Sequence, residues 1–152
     1  MIDEAEFNKA LPNFHKLAVE HITAPEGVYV GANFVKSYDG RWCSYISLTL
    51  NGAFLEFVIS YSRFYLEPIL HHLKDNNPSL KVDIEECIPE IHPVLQRTLL
   101  LLHQCETKEL MESLHSETTE NYLISWFGIY LGYISPLLSL RVPESAYISH
   151  SS

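Results

Sequence analysis

The sequence predicts an α+β domain: an N-terminal helix, a three-stranded antiparallel meander and a helical C-terminal half. Three observations carry this. Asp39-Gly40 and Asn51-Gly52 are the two dipeptides best suited to type I′ hairpin turns, in which both central residues need φ > 0. Phe7, Ala10, Leu11, Phe14, Leu17, Ala18 and His21 recur at helical spacing along one face. Residues 122–140, YLISWFGIYLGYISPLLSL, carry no charge and read as a long buried helix. At 152 residues, 47% apolar and 19% charged, the chain suits a single domain over 1–152.

Taken in order, the first helix opens at Asp3, with Glu6 in capping-box spacing. Pro12 should kink or split it, and APEG at 24–27 ends it. The meander occupies about 28–38, 41–50 and 53–60. Two-residue turns then set the register, with 41 opposite 38 and 50 opposite 53. Trp42, Ile46, Leu48 and Leu50 share the core face with Leu55, Phe57 and Ile59. The reverse face has Phe34, Tyr45 and Val58, with Lys36, Cys43 and Glu56 nearby, and is apolar enough to need a cover.

Pro68 suits the first turn of a short helix at about 67–75. DNNPS at 75–79 is a loop, and the alternation of Leu80, Val82 and Ile84 with Lys81, Asp83 and Glu85 predicts an edge strand over 80–85. Pro89 and Pro93 interrupt the chain; a helix from Pro93 to about Cys105 would turn the leucines at 99–102 inward. A short helix at about 107–115 follows, and Thr118 or Thr119 caps the apolar helix.

Charge narrows the function. The net charge is 10 − 19 = −9, and the segment from Asp83 to Glu120 alone, with nine acids and two bases, contributes 2 − 9 = −7. Such asymmetry repels phosphate backbones and excludes nucleic acid as the direct partner. Three cysteines without a C-x-x-C, and an acidic start with no secretory pattern, imply a reducing, cytoplasmic setting. Three tyrosines, three serines and Pro136 within 122–140 argue against a membrane span. Gly128 and Gly132, in G-x-x-x-G spacing, suit close helix packing or a homodimer contact.

No catalytic signature emerges. Cys87, Glu90 and His92 are metal-ligand types, but no paired ligand clusters occur, and no metal or other cofactor is expected. Cys43 lies mid-strand and Cys105 ends a leucine run, where buried cysteines are common. Neither sits in a nucleophile elbow, and no phosphate-binding glycine loop is present. The residues that stand out are acidic. Asp83, Glu85, Glu86 and Glu90, continued by Glu106, Glu109 and Glu112, make a partner-binding surface for a basic protein.

In size, acidity and α+β class the chain resembles the immunity proteins of contact-dependent growth inhibition and related polymorphic toxin systems. The resemblance implies a non-enzymatic inhibitor that occludes a basic cognate toxin, often a nuclease, through those seven acids. The type III secretion chaperones, acidic α+β homodimers that bind effector segments, are similar in the same respects and give the alternative.

Overall fold

The structure, a computed structural model, describes residues 2–74, 87–102 and 118–143, with Lys74, Cys87, Ile88 and Tyr133 described by backbone alone. Helix α1 spans Glu4–His21. It begins where the sequence says: the extended Asp3 accepts the Glu6 N–H at 2.8 Å, a donor the helix itself cannot satisfy. Pro12 does not split it; the helix runs unbroken through that exposed position.

The meander forms as predicted, from β2 (Tyr29–Tyr38), β3 (Arg41–Leu50) and β4 (Ala53–Ser62). Asp39, Gly40, Asn51 and Gly52 all take positive φ, from 50° to 79°, as the tight turns demand. Tyr38 opposes Arg41 and Leu50 opposes Ala53, so the turn chemistry sets the register throughout. A bulge between Val30 and Asn33 interrupts the outer strand.

Beyond β4 the expectations need correction. The segment expected as a helix at 67–75 is strand β5 (Glu67–Lys74), paired with β4 from Ser62↔Glu67 to Leu55↔Lys74. The leucine run is not helical either. It forms β7 (Thr98–Leu102), paired with β6 (Cys87–Ile91), an edge strand that tolerates Pro89. The six strands lie in the order β2-β3-β4-β5-β7-β6, all antiparallel. The strand expected at 80–85 and the helix at 107–115 fall outside the described residues. The helical C-terminal half is thereby reduced, among the described residues, to α2 (Thr119–Ile134).

Thr118 caps α2 by accepting from the Asn121 N–H at 3.1 Å, and the helix stops at Ser135, just before Pro136. A two-residue ladder then clips β1 (Ile22–Thr23) to β8 (Ser139–Leu140). Among the described residues no helix is long and apolar enough to cross a membrane. Among the described residues the G-x-x-x-G spacing marks no close approach. A Cβ on Gly128 would meet Leu140 Cβ at an ordinary 3.8 Å, and Gly132 faces open space.

Both helices lie on one face of the sheet. Phe7, Leu11 and Phe14 of α1 and Phe127, Tyr130 and Leu131 of α2 enclose Ile46, Leu48, Leu50, Leu55, Phe57 and Ile59 in one core. Phe127 meets both Phe14 and Phe57 edge-on, at 5.7 and 6.0 Å. Trp42, predicted on this face, sits at the sheet end and is exposed.

Candidate functional site

The reverse face of the sheet is where polar chemistry collects. Its predicted residues Cys43, Tyr45 and Val58 are buried, and their cover comes from the chain itself: Val94 and Leu99 close a second core over them. The cover is a turn linking β6 to β7, folded around His92. The bare Nδ1 of His92 accepts the N–H groups of Val94 and Leu95 at 3.1 and 3.3 Å. The ring proton therefore sits on Nε2 and is donated to Ser60 Oγ at 3.2 Å. Gln96 takes φ 58° to bring the chain back, with its N–H on the His92 carbonyl and the His92 N–H on the Arg97 carbonyl. Burial first, and then the neighbouring His71 and Arg41, push His92 down to about 3, so the ring is neutral.

An ion pair and a histidine–carboxylate hydrogen bond flank that turn. Arg97 forks onto the buried Glu56 carboxylate, Nη1 to Oε1 at 2.9 Å and Nη2 to Oε2 at 3.1 Å. Tyr45 O–H donates to the same Oε1 at 2.5 Å. Burial opposes ionisation of Glu56, but the hydrogen bonds from Arg97 and Tyr45 outweigh it and hold the carboxyl below its ordinary value. His71, wholly buried on β5, donates its Nε2 proton to Glu90 of β6 and meets His92 edge-on at 5.0 Å. Desolvation lowers the His71 pKa, against the pull of Glu90.

A second feature lies at one end of the sheet. The Asp39-Gly40 turn and the Arg63–Leu66 turn are neighbours there; a Gly40 Cβ would stand 3.9 Å from Arg63 Nη2. Arg63 is held by Glu4 at 2.9 Å, and Tyr61 O–H donates to the Ile2 carbonyl, so α1 begins at this end. Thr119 lies 3.5 Å from Glu6, which brings the start of α2 there as well. Because β7 is antiparallel to β5, its C-terminal end also points this way. Tyr38, Trp42, Phe64, Tyr65 and Leu66 are all exposed at this end, Phe64 to 86%. A cluster of that kind marks a contact surface more often than scattered single residues do.

Of the seven acids predicted to bind a partner, Glu90 is the one described, and it pairs with His71. Asp83, Glu85, Glu86, Glu106, Glu109 and Glu112 lie outside the described residues, as does Cys105. Cys87 opens β6 opposite Leu102. Cys43 is fully buried, and burial pushes its thiol up to about 11 despite the opposing pull of Lys36. Among the described residues no group of three or more ligand-type side chains could hold a metal.

The Glu56–Arg97 and His71–Glu90 pairs escaped the sequence reading because their members lie 41 and 19 residues apart with no local pattern. Cys105 was visible, but the reading placed it at the end of a buried helix. Three residues past the end of a strand, with His103 and Glu106 beside it in sequence, a cysteine reads differently.

Residues 45–141 match the family described as autophagocytosis associated protein, active-site domain. The chain is also 26% identical, over 164 aligned positions, to the ubiquitin-like-conjugating enzyme ATG10 of Candida albicans, covering 93% of this chain and 92% of that protein. These findings overturn the immunity reading, its secretion-chaperone alternative, the toxin partner and the non-enzymatic role. Size and net acidity speak to solubility and association and leave fold and activity open. With well over half its length matched, this chain belongs to the autophagocytosis associated protein, active-site domain family.

Proposed function

We propose that the protein is a conjugating enzyme that carries a ubiquitin-like protein as a thioester on Cys105 and passes it to an acceptor amine. The observation that carries this is the active-site-domain match over 45–141, joined by the conjugating-enzyme relative that spans nearly the whole chain. Covalent transfer of an acyl group needs a nucleophile, and cysteine is the most nucleophilic side chain near neutral pH. Three are available. Cys43 falls outside the matched residues, and its thiol is buried and hard to ionise. Cys87 stands in the β6–β7 ladder. Cys105 follows β7 by three residues and has His103 and Glu106, groups that can move a proton, as neighbours in sequence.

The chemistry balances as two acyl transfers. The Cys105 thiolate attacks the thioester carbonyl of an activated ubiquitin-like protein; a new carbon–sulfur bond forms, and the carrier's bond breaks with its thiolate leaving. An acceptor amine then attacks the new thioester, an amide forms, and the Cys105 thiol is regenerated. The exposed apolar end of the sheet, toward which β7 runs, supports a protein partner there. The acids Asp83, Glu85, Glu86, Glu90, Glu106, Glu109 and Glu112 bracket Cys105 in sequence and belong to this reading as a contact for a basic protein surface. A carrier thiol must stay reduced, which suits the cytoplasm.

The test is to incubate the full chain with a ubiquitin-like protein and its activating enzyme. A new band on non-reducing electrophoresis that disappears with thiol reductant supports the reading. No such band at any donor concentration defeats it.

A further inference from the structure

Among the described residues, β5 and β7 share the shortest ladder in the six-stranded sheet. Its described register comprises His71↔Leu101 and His72↔Leu100, whereas the neighbouring β4–β5 ladder runs the full length of β5. Three polar clasps span that junction on the reverse face. Arg97, just before β7, grips Glu56 of β4. His92, just after β6, donates to Ser60 of β4. Glu90, within β6, accepts from His71 of β5, reaching over β7. Each joins β4 or β5 to the β6–β7 unit, and Tyr45 extends the first clasp to β3.

We infer that these clasps, Glu56–Arg97 foremost, are positioning residues for the conjugation step: they seat the β6–β7 unit on β4 and β5 and so fix where β7, the strand that precedes Cys105 in sequence, lies. The inference rests on the thioester reading above. A slip of one residue along a strand moves the chain by about 3.3 Å and turns every side chain over. Acyl transfer tolerates far less, since a misplacement of about 1 Å can cost about a hundredfold in rate. A planar guanidinium fork on a carboxylate fixes direction as well as distance. Adhesion alone needs no ion pair, as Val94 and Leu99 show on the same face. Burying Glu56 carries a desolvation penalty that an apolar contact avoids, and what a buried pair returns is a defined arrangement.

The experiment compares the full-length wild type with Arg97→Lys, which keeps the charge and loses the fork, and with Arg97→Met. Amide exchange at 98–102 reports the seating. Single-turnover thioester formation over a range of activated-donor concentrations separates the saturating rate from the half-saturating concentration. Expected is a loss of protection at 98–102 with a fall of about tenfold in the saturating rate for Arg97→Met, a smaller fall for Arg97→Lys, and half-saturation within about twofold of wild type. Lost protection with an unchanged saturating rate overturns the inference, and so does an effect confined to half-saturation. A wild type that forms no thioester overturns the parent reading and this one together. Normal wild-type loading with unmoved variants overturns this one alone.

Discussion

Arg97 and Glu56 meet in an unequal pair: the Glu56 side chain is 8% exposed and that of Arg97 46%, though two hydrogen bonds of 2.9 and 3.1 Å join them. The inequality makes the consequences of breaking the pair unequal. Arg97→Met strands a buried carboxylate and should destabilise the fold by about 3 kcal/mol. Glu56→Gln leaves the guanidinium partly in water and keeps an acceptor for Tyr45, so about 1 kcal/mol is expected. Urea unfolding of both variants measures this; equal losses would mean that burial of the carboxylate is not what sets the cost.

His92 makes stability depend on pH in a known direction. Its folded pKa is about 3 against an ordinary 6.5, so between those values the unfolded chain holds a proton that the folded chain lacks. Stability therefore falls as pH falls through that window, by up to about 1.4 kcal/mol per pH unit from this residue. His15, whose pKa burial lowers against its hydrogen bond with Asn33, and His71 act in the same direction. His92→Asn keeps an acceptor for the Val94 and Leu95 N–H groups and removes the titration. The unfolding free energy measured between pH 4 and 6 should then lose about one proton of slope; an unchanged slope would contradict the assignment.

The helix, the meander and the α+β class were legible because their signals are local. Asp3 and Glu6 lie within one turn, and the two X-Gly dipeptides set both hairpins. The C-terminal helix with its Thr118 cap was legible too, but the strands between β4 and α2 were not. β5 and β7 are covered on both faces, His71 and Leu101 on one and His72 and Leu102 on the other, so no alternation of apolar and polar residues survives to mark a strand. The turns that deliver these strands use Leu66 and Gln96 at positive φ, residues that give no turn signal. Of the proposed site, Cys105 was present in the sequence, but reading it as the carrier cysteine depended on the leucines before it being strand.

At the Asn51-Gly52 turn, Gly52 holds φ 79° with open space where a Cβ would go. Gly52→Ala should therefore be destabilising through backbone strain alone, by about 1 kcal/mol. Thermal unfolding of that variant tests it. A neutral result would show that the turn can relax to another type.

Cys43 should behave as an inert core residue. Iodoacetamide at neutral pH should leave it unmodified in the folded chain and alkylate it in urea. Cys43→Ala should load the ubiquitin-like protein at the wild-type rate, as gel densitometry of the thioester would show. Loss of loading without loss of fold would bring Cys43 into the chemistry.

The most direct measurement is the covalent map of the loaded enzyme. Cys105→Ser and Cys87→Ser chains are each incubated with the activated ubiquitin-like protein, and the adducts are digested for mass spectrometry. Cys105→Ser should lose the reductant-sensitive adduct and, where any product forms, carry the acyl group as a reductant-stable ester at position 105, while Cys87→Ser loads normally. A reductant-sensitive adduct that persists in Cys105→Ser and vanishes in Cys87→Ser would contradict the account.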